Sequence, residues 1–402
     1  MRVLHVIHSL DLKSGGPSHA LFALVQAQVK LGLEPHIFCT DRQAGATWKP
    51  DEEYIADLRA KLPSQIGSLT VLPAKGRTRP WIRYGFSFQC HRSLKAFLGD
   101  EQTKPAFVHI HGLFSQITSV AAKLSHQNGI PHAVRPTGAL DPLPLSMGNS
   151  LLKKVYLNLV MKRMLNSATF IHTTSESEAE TAKQFVPPDQ VKVVPLGINV
   201  PELDPADGAK QFCSQFPQLE GHPFILCVSR IHPKKNLKLA IRAFHRWALK
   251  EPSFHLVIAG DKTANEYQQG LEALAVDLGI RSNVHFVGFL EGAVKSGAFF
   301  AASCFLQTSH HENFGVSIPE SMAHGLKVVS TPGVASSRYL EPANGGEVAK
   351  DNPEAVSIAI ERVIADGDSS RNKALQSWDE SKMSWDHVAR SLSHIYQQAC
   401  SA

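Results

Sequence analysis

Short runs of apolar, β-branched residues alternate along this chain with longer segments in which apolar residues recur at helical spacing. This alternation is typical of βαβ units and parallel sheets. In the first half of the chain it predicts strands at 2–7, 34–39, 69–72, 106–110, 132–134, 169–173 and 191–195. The helices predicted between these strands are 17–32, 87–98, 115–127, 150–166 and 176–185.

The same alternation begins again at Pro223. It predicts strands near 224–229, 254–259, 284–287, 303–307 and 326–330. The helices predicted among them lie near 236–249, 264–278, 291–301, 316–324, 353–366 and 385–399. The sequence therefore predicts an α/β protein with two doubly wound, Rossmann-like domains that face each other across a central cleft.

Turn-forming residues without periodicity separate the two halves. Pro195–Pro201 contains two prolines, a glycine and an asparagine, and an acidic segment that ends at Pro205 follows. We interpret this region as the linker, with domains over 1–200 and 201–382. Ligands of doubly wound sheets bind at the carboxyl ends of the strands, so we expect the chemistry to lie in strand-to-helix loops.

Composition narrows the class of protein. The 402 residues are 43% hydrophobic and 19% charged, which excludes a disordered or coiled-coil chain. A net charge of +5 over 402 residues is too small to indicate a protein that binds nucleic acid. The six cysteines do not have the spacing of metal ligands, and we expect them to be reduced thiols. Without a signal-peptide pattern or a long apolar run, the chain is expected to be cytoplasmic.

A basic motif follows the first strand of the second half. Arg230 comes directly after that strand, and Lys235 precedes a helix for which Asn236 is the expected N-cap. A guanidinium fork beside a compact ammonium group suits a diphosphate. The alternative is a solvated, basic start of a helix.

Two carboxylates, Glu312 and Glu320, bracket a glycine at a predicted loop-to-helix junction. Pro319 fits the first turn of that helix, and Gly325 fits its end. A carboxylate can accept hydrogen bonds from two neighbouring sugar hydroxyls, and backbone N–H groups near Gly315 can face a phosphate. The alternative is a pair of ordinary surface glutamates.

Two weaker motifs lie in the first half. The pair Gly15 and Gly16 precedes a helix and could approach an anion closely, although an ordinary tight turn explains it equally well. His109 and His111 are two apart on a strand and could share a metal ion. We do not favour metal binding because no third ligand stands in a recognisable motif nearby. A buried structural role is the alternative for either histidine.

These motifs together resemble those of a known family. The segment from Glu312 to Glu320 is similar to the E-x7-E motif of the retaining GT-B glycosyltransferases of family 4, and Arg230 with Lys235-Asn236-Leu237 resembles their phosphate-binding motif. His111-Gly112 and the Gly15-Gly16 loop fall where the family has its sugar-contacting histidine and its N-terminal glycine loop. The resemblance also implies that a last helix, 383–402, returns to the first domain.

The resemblance implies a role for each matching residue. Four residues are implied to be catalytic: Glu312, His111, Arg230 and Lys235. Donor binding is implied for Gly15, Gly16, Arg230, Lys235, Phe314, Gly315, Val316, Ser317 and Glu320. A segment that lines the acceptor side in some members is matched by Arg135, Thr137 and Gly138.

The implied activity is the transfer of a hexosyl group, with retention, from a nucleotide sugar to a glycan or lipid-linked acceptor. A UDP-sugar is the favoured donor. We expect no metal or other cofactor, because two cations can stabilise the leaving diphosphate and no D-x-D motif is present. An epimerase or hydrolase of the same architecture and a non-catalytic sugar-nucleotide sensor are the alternatives.

The predicted helix 150–166 is basic and more broadly apolar than one core-facing stripe requires. Lys153, Lys154, Lys162 and Arg163 supply positive charge near its two ends. Such a helix can lie on an anionic membrane surface, which would make the protein peripheral. The alternative is a helix packed in the core with solvated lysines.

Overall fold

The chain forms two compact units. The structure, a computed structural model, describes residues 1–12, 16–43, 51–74, 86–140, 160–199, 202–260, 265–340, 345–366, 374–375, 378 and 382–401. The N-terminal unit comprises Met1–Gly197 with Trp385–Ala402, and the C-terminal unit comprises Ile198–Ser384. The division lies a few residues before the boundary predicted at 200 and 201.

A parallel sheet of seven strands forms the centre of the N-terminal unit. The strands are β1 Arg2–Ser9, β2 Glu34–Thr40, β3 Ser68–Leu72, β4 Phe107–His111, β5 His132–Arg135, β6 Phe170–Thr173 and β7 Val191–Val193. Their spatial order is β3-β2-β1-β4-β5-β6-β7. All seven strands were predicted. The central strands are buried runs of the kind that a two-sided parallel sheet requires, whereas the edge strands β3 and β7 are mostly half-buried.

The helices of this unit are α1 Gly16–Lys30, α2 Asp51–Lys61, α3 Cys90–Gly99, α4 Gln116–Gln127, α5 Lys162–Asn166, α6 Glu176–Ala182 and α13 Trp385–Ser401. The sequence did not predict α2, whose polar composition hides the few residues, such as Tyr54 and Leu58, that it buries. Residues 150–159 of the predicted helix 150–166 lie outside the described residues. The described end of that segment buries Met161, Met164 and Leu165 in the core.

The C-terminal unit contains a parallel sheet of six strands: β8 Phe224–Val228, β9 His255–Ala259, β10 Val284–Gly288, β11 Cys304–Gln307, β12 Val328–Ser330 and β13 Gly346–Val348. Their order is β10-β9-β8-β11-β12-β13. Its helices are α7 Pro205–Gln215, α8 Leu237–Ala248, α9 Asn265–Asp277, α10 Gly292–Ala301, α11 Ser317–Ala323 and α12 Pro353–Ala365. The predicted two doubly wound sheets are confirmed, and the short strand β13 was missed.

The acidic segment that we interpreted as the end of the linker instead begins a helix. Asp204 is the N-cap of α7, and its carboxylate accepts hydrogen bonds from the N–H groups of Ala206 and Asp207 at 2.9 and 3.2 Å. Pro205 occupies the first turn, where its missing N–H group costs no hydrogen bond. Of the predicted linker, Asp204 and Pro205 therefore belong to the start of a helix, since an Asp-Pro pair is also a helix start.

Helix α13 covers one face of the N-terminal sheet and packs against α1. Its buried residues recur at helical spacing, at Trp385, Val388, Ala389, Leu392 and Tyr396. They join a core cluster with apolar residues of α1 and of strands β1, β4, β5 and β6. None of the helices within the described ranges is long and apolar enough to cross a membrane.

Gly197 allows the start of α13 to lie close to the backbone of residue 197 itself. A Cβ atom at this position would lie 2.3 Å from Cδ2 and 2.7 Å from Cα of Trp385. The φ angle of Gly197 is not positive, so the requirement for glycine is steric and does not come from the backbone conformation.

We expect Gly197→Ala to lower the free energy of unfolding by about 1–3 kcal/mol, because the new methyl group overlaps Trp385. Urea unfolding followed by circular dichroism measures the change. The control is Gly270→Ala in α9, where a Cβ atom meets nothing within 4 Å. There the higher helix propensity of alanine should raise the free energy of unfolding by about 0.5–1 kcal/mol. Equal stability of the two variants would contradict the steric explanation.

Candidate functional site

The strand order of the C-terminal sheet reverses between β8 and β11. Loops that leave the carboxyl ends of these two strands diverge, which leaves room for a ligand between them. Arg230 and Lys235 follow β8, and Glu312 follows β11. The topology therefore brings together residues that are about 80 positions apart in the sequence.

The loop after β8 runs close to the end of β9. The Ser229 N–H group donates to the Ala259 carbonyl oxygen at 2.9 Å, and a Cβ atom at Gly260 would lie only 1.7 Å from the Ser229 oxygen. Only glycine permits this approach. Arg230 is exposed and forms no ion pair with any described residue, so its guanidinium group is available to a ligand.

Asn236 does not cap α8 in the way we predicted. It occupies the N-cap position with φ 51°, in the left-handed region that asparagine tolerates better than most residues. Its side chain makes no capping hydrogen bond and donates instead to Oδ1 of Asp351 at 3.2 Å. The Thr308 hydroxyl group donates to the carbonyl oxygen of Asn236 at 3.1 Å and so fixes this turn beside Lys235.

Lys235 and Glu312 form an ion pair across the switch point. The Lys235 ammonium group donates to Oε1 of Glu312, and both side chains are largely buried. The Ser309 hydroxyl group donates to the same oxygen at 2.9 Å. Both contacts are to Oε1, so among the described residues Oε2 of Glu312 remains free for a ligand. The arrangement fixes a cation and a carboxylate side by side.

Gly315 turns the chain from Glu312 into helix α11. It has φ +86°, and a Cβ atom there would lie 2.5 Å from Cγ1 of Val334. The Ser317 hydroxyl group donates to the Val228 carbonyl oxygen at 3.1 Å, which ties the helix start to the end of β8. The N–H groups of Gly315, Val316 and Ser317 donate to no acceptor within the described part of the chain. Such a cluster of N–H groups can bind an anion.

Within the E-x7-E segment, Phe314 is buried and anchors the loop, whereas Val316 is exposed. Helix α11 begins at Ser317 and ends at Ala323, so Pro319 and Glu320 lie on its first turns as predicted. The N–H group of Gly325, which has φ +70°, donates to the Met322 carbonyl oxygen at 2.9 Å and closes the helix.

Glu320 has a partner that the sequence did not reveal. Lys295 of α10 donates from Nζ to Oε1 of Glu320 at 2.7 Å. The other carboxylate oxygen, Oε2, is buried and has no hydrogen-bond partner among the described residues. Lys295 stands in no motif, and only the packing of α10 beside α11 brings it to Glu320. The pair holds one acceptor oxygen in a fixed position.

In the N-terminal sheet the strand order reverses between β1 and β4, and histidines line this switch point. His5 of β1 lies opposite His109 of β4, and His111 lies two residues further along on the same face. His172 of β6 belongs to the same group, and all four side chains are buried. Helices α1 and α13 cover this face.

One hydrogen-bonded chain links α1 to the end of β4. His5 contacts Oε1 of Gln28 through Nε2 at 2.7 Å and Nε2 of His111 through Nδ1 at 3.1 Å. The remaining nitrogen of His111, Nδ1, is buried and has no partner among the described residues. His111 thus carries an unused polar atom at the carboxyl end of its strand.

A second hydrogen-bonded chain links α13 to β7. The Tyr396 hydroxyl group contacts Nδ1 of His109 at 2.7 Å, and Nε2 of His109 contacts Nδ1 of His172 at 3.2 Å. Nε2 of His172 contacts the Val194 carbonyl oxygen at 2.9 Å. His109 is therefore a buried structural histidine with both ring nitrogens used.

The fold supplies the third histidine that the sequence motif lacked. Ring nitrogens of His5, His109 and His111 lie within 4.8 Å of one another, a spacing that a metal ion could bridge. Both nitrogens of His5 and His109, and one of His111, already take part in hydrogen bonds to described residues. Those hydrogen bonds account for the close approach of the three rings.

Arg135 lies beside His111 in the β4–β5 register and is almost completely buried, at 3% exposure. Burial lowers its pKa to about 10. Thr137 and Gly138 both have positive φ angles, and the Gly138 N–H group donates to Oε1 of the buried Glu178 at 2.7 Å. Only Thr137 of the predicted acceptor-side residues is partly exposed.

Of the predicted glycine loop, Gly15 lies outside the described residues. Gly16 is the first residue of α1 and is exposed, and a Cβ atom there would meet nothing within 4 Å. Packing therefore does not require glycine at this position.

Comparison with known proteins identifies the family. The profile of the glycosyl transferases group 1 matches residues 210–379, and that of the glycosyl transferase 4-like domain matches residues 15–197. Together they span more than four fifths of the chain. The chain belongs to the family 4 type of glycosyltransferases.

Curated relatives resemble this chain over about half of their length. An uncharacterized glycosyltransferase of Methanocaldococcus jannaschii is 31% identical over 220 residues, which cover 53% of this chain and 55% of that protein. A probable sucrose-phosphate synthase of Thermosipho melanesiensis is 25% identical over 253 residues, 59% of this chain and 56% of that one. The chain thus spans about half the length of the curated relatives it matches.

Solved structures show that this chain has the GT-B fold. Anabaena HepE, in complex with UDP and glucose, superposes with a TM-score of 0.75 at 16% identity, covering 99% of this chain and 100% of that one. The sucrose-phosphate synthase of Thermosynechococcus elongatus has a TM-score of 0.73 at 17% identity and covers 99% and 98% of the two chains. At such low identity the likeness concerns the fold.

The buried histidines make the stability of this protein depend on pH. Burial lowers the pKa of His5 to about 4 and that of His172 to about 3, and it holds the pKa values of His109 and His111 well below the ordinary 6.5. These residues are neutral in the folded chain, whereas the unfolded chain binds protons below pH 6.5. Stability is therefore fully present above pH 6.5 and is lost as the pH falls toward 4.

We expect the unfolding free energy to fall between pH 7.5 and pH 5.5, with each buried histidine contributing about 1.4 kcal/mol per pH unit below 6.5. Urea unfolding at several pH values measures this slope. His172→Gln removes one of the protons that the unfolded chain takes up, so it should reduce the slope by up to about 1.4 kcal/mol per pH unit. The control His126→Gln, at an exposed position, should not reduce it. A stability that does not change between pH 7.5 and 5.5 would show that the cluster is not neutral.

Proposed function

We propose that this protein transfers a hexosyl group from a nucleoside-diphosphate sugar to a hydroxyl acceptor with retention of configuration. The observation that carries the proposal is the arrangement at the switch point of the C-terminal sheet. There the Lys235–Glu312 pair, the exposed Arg230 and the Lys295–Glu320 pair accompany the N–H groups of Gly315, Val316 and Ser317 at the start of α11, which donate to no acceptor among the described residues. A nucleoside-diphosphate sugar has a matching group for each of them.

The diphosphate is the part of the donor that we assign to Arg230, Lys235 and the N–H groups of Gly315, Val316 and Ser317. Cleavage of the glycosyl–phosphate bond places negative charge on the departing phosphate. Fixed cations and N–H donors therefore stabilise the transition state more than the bound ground state. The Lys235 ammonium group is already held by Glu312, so little reorganisation is needed when the charge develops.

Two cations at this position support a reaction that does not need a metal ion. Arg230 offers a planar fork of donors and Lys235 a compact charge, and together with the N–H groups at the start of α11 they can stabilise the charge that a divalent cation would otherwise balance. We therefore propose that no metal or other cofactor takes part.

The ribose is assigned to Glu320. Lys295 holds Oε1, and the buried, unpartnered Oε2 is an acceptor for a ribose hydroxyl group. A buried acceptor without a partner is costly, and a hydroxyl donor removes that cost. Lys295 is the residue that the sequence motif did not reveal, and we propose that it positions the carboxylate.

Glu312 is assigned to the transferred sugar as an orienting group. Its Oε1 accepts hydrogen bonds from Lys235 and Ser309, which lowers its nucleophilicity. We therefore propose a front-face displacement without a covalent enzyme intermediate. The acceptor oxygen forms a bond to the anomeric carbon, the bond from that carbon to the phosphate oxygen breaks, and the departing phosphate takes the acceptor proton. His111 would contact the sugar.

A uridine diphosphate donor remains the favoured choice. UDP is the nucleotide bound in the HepE structure, which supports the choice only through the shared fold. We propose a glycan or lipid-linked acceptor. The part of the segment 150–166 that could contact a membrane surface is smaller than the sequence suggested, because Met161, Met164 and Leu165 pack in the core. Exposed Lys162 and Arg163 remain available to an anionic surface, and residues 150–159 lie outside the described residues.

The test is the release of nucleoside diphosphate from UDP-, GDP-, ADP- and TDP-hexoses, with and without acceptors. The acceptor panel contains soluble glycosides and lipid-linked sugars in anionic vesicles. We expect release that depends on the acceptor, a product with the anomeric configuration of the donor and no loss of rate in EDTA. Arg230→Ala or Lys235→Met should slow the reaction by roughly 10²–10³, whereas the exposed control Arg242→Ala should not.

Other outcomes would select the alternatives. Rapid turnover of the nucleotide sugar without any acceptor would indicate an epimerase or hydrolase. Nucleotide binding without turnover of any donor would indicate a sensor. An inverted product, or loss of activity in EDTA, would contradict the proposed mechanism.

A further inference from the structure

The hydrogen-bonded histidine chains of the N-terminal unit have a defined direction. Val194 contributes a carbonyl oxygen, which can only accept, so Nε2 of His172 must carry a proton. His172 is neutral, and its Nδ1 therefore has a lone pair and accepts from Nε2 of His109. Nδ1 of neutral His109 must in turn accept the Tyr396 hydroxyl proton.

The chain that ends at His111 follows the same logic. Oε1 of Gln28 can only accept, so Nε2 of His5 carries the proton. Nδ1 of neutral His5 then accepts from Nε2 of His111. Neutral His111 has one ring proton, and this proton is used, so its free Nδ1 presents a lone pair.

The orientation of the Gln28 amide decides the direction of this second chain. A reversed amide would donate to His5, move each proton to the other ring nitrogen and turn Nδ1 of His111 into a donor. Tyr396 opposes that reversal. Its proton is used on His109, so the Tyr396 oxygen can only accept. The Gln28 side chain lowers the tyrosine pKa against the effect of burial, which places its amide near that oxygen. Nε2 of Gln28 is buried without a hydrogen bond to a described residue, and a reversed amide would turn a second acceptor, its carbonyl oxygen, toward Tyr396.

A neighbouring group shows what Nδ1 of His111 can bind. Arg135 is paired with His111 in the β4–β5 register, and its Nε atom is also buried without a partner. The two strands therefore carry an unused acceptor and an unused donor side by side. A hydroxyl group can donate to one and accept from the other, which neither a carboxylate nor an ammonium group can do.

We propose that Gln28 and His5 are positioning residues that hold His111 in the tautomer whose Nδ1 accepts a hydrogen bond from a hydroxyl group of the transferred sugar. This inference rests on the proposed sugar transfer. A bound water molecule has the same chemistry at these atoms, and the experiment distinguishes the two. Through Tyr396, the last helix of the chain takes part in setting this tautomer.

The tautomer can be tested without any activity. Nitrogen-15 NMR of histidine-labelled protein at pH 7.5, with His111→Gln to assign the signal, should show His111 protonated at Nε2 and not at Nδ1. Gln28→Leu should give a mixture of both tautomers, whereas Gln28→Glu, which keeps an acceptor for His5, should preserve the original one. A wild-type His111 protonated at Nδ1 would overturn the proposal, and this readout stands even if Gln28→Leu fails to fold.

Kinetics then tests the sugar contact. Gln28→Leu should lower kcat about tenfold, the value of one hydrogen bond, and leave the dissociation constant of UDP unchanged. The control is Gln26→Leu on the exposed side of α1, which should change neither. In a series of monodeoxy sugar donors, the donor that lacks the hydroxyl group bound by His111 should react more slowly than the parent donor with the wild type. With Gln28→Leu, that deoxy donor and the parent donor should react at the same rate.

These outcomes separate the two proposals. Additive losses for every deoxy donor would mean that only water meets His111 and would overturn the sugar contact. An unchanged tautomer and kcat in Gln28→Leu would overturn the positioning role. A wild type that turns over no nucleotide sugar would instead contradict the proposed function, while the NMR result still decides the tautomer.

Discussion

The reversal of strand order in each parallel sheet is the constraint on which the candidate site depends. In both sheets the first strand of the series lies in the middle, and the chain winds outward from it in two directions. The loops at that reversal separate and leave backbone N–H groups and side chains exposed to a ligand. Arg230, Lys235 and Glu312 occupy this position in the C-terminal sheet, and His111 occupies it in the N-terminal sheet.

Burial gives these polar groups their properties. In the C-terminal unit, Lys235 and Lys295 each hold one oxygen of a glutamate, so two carboxylates are fixed before any ligand arrives. In the N-terminal unit, four histidines that would be costly as unpaired groups satisfy one another. Nδ1 of His111 and Oε2 of Glu320 are among the buried polar atoms that have no partner in the described residues, and we propose that both accept hydrogen bonds from the donor.

The sequence predicted the features that are local. Strands that are buried on both faces are apolar runs, and the E-x7-E segment contains its turn glycine, its helix start and both carboxylates within nine residues. Helix α7 was missed because Asp204-Pro205 can either end a loop or start a helix, and α2 was missed because it buries few residues. Strand β13 has only three residues and gives little pattern.

Contacts between distant segments could not be predicted from the sequence. Lys295 reaches Glu320 across 25 positions, and Tyr396 reaches His109 across 287. The third histidine of the cluster, His5, stands on another strand and forms no motif with His109 and His111. Such partners depend on strand order and helix packing, which one sequence pattern does not specify.

Calorimetric titration with uridine, UMP and UDP tests the central claim most directly, because the three ligands differ only in their phosphates. The account predicts that UDP binds more tightly than UMP and that Arg230→Ala removes most of this difference. Lys295→Met should weaken all three ligands by the same factor, since it acts at the ribose. If UDP binds no more tightly than UMP, or if Arg230→Ala weakens all three equally, the assignment of the diphosphate to the β8 loop is contradicted.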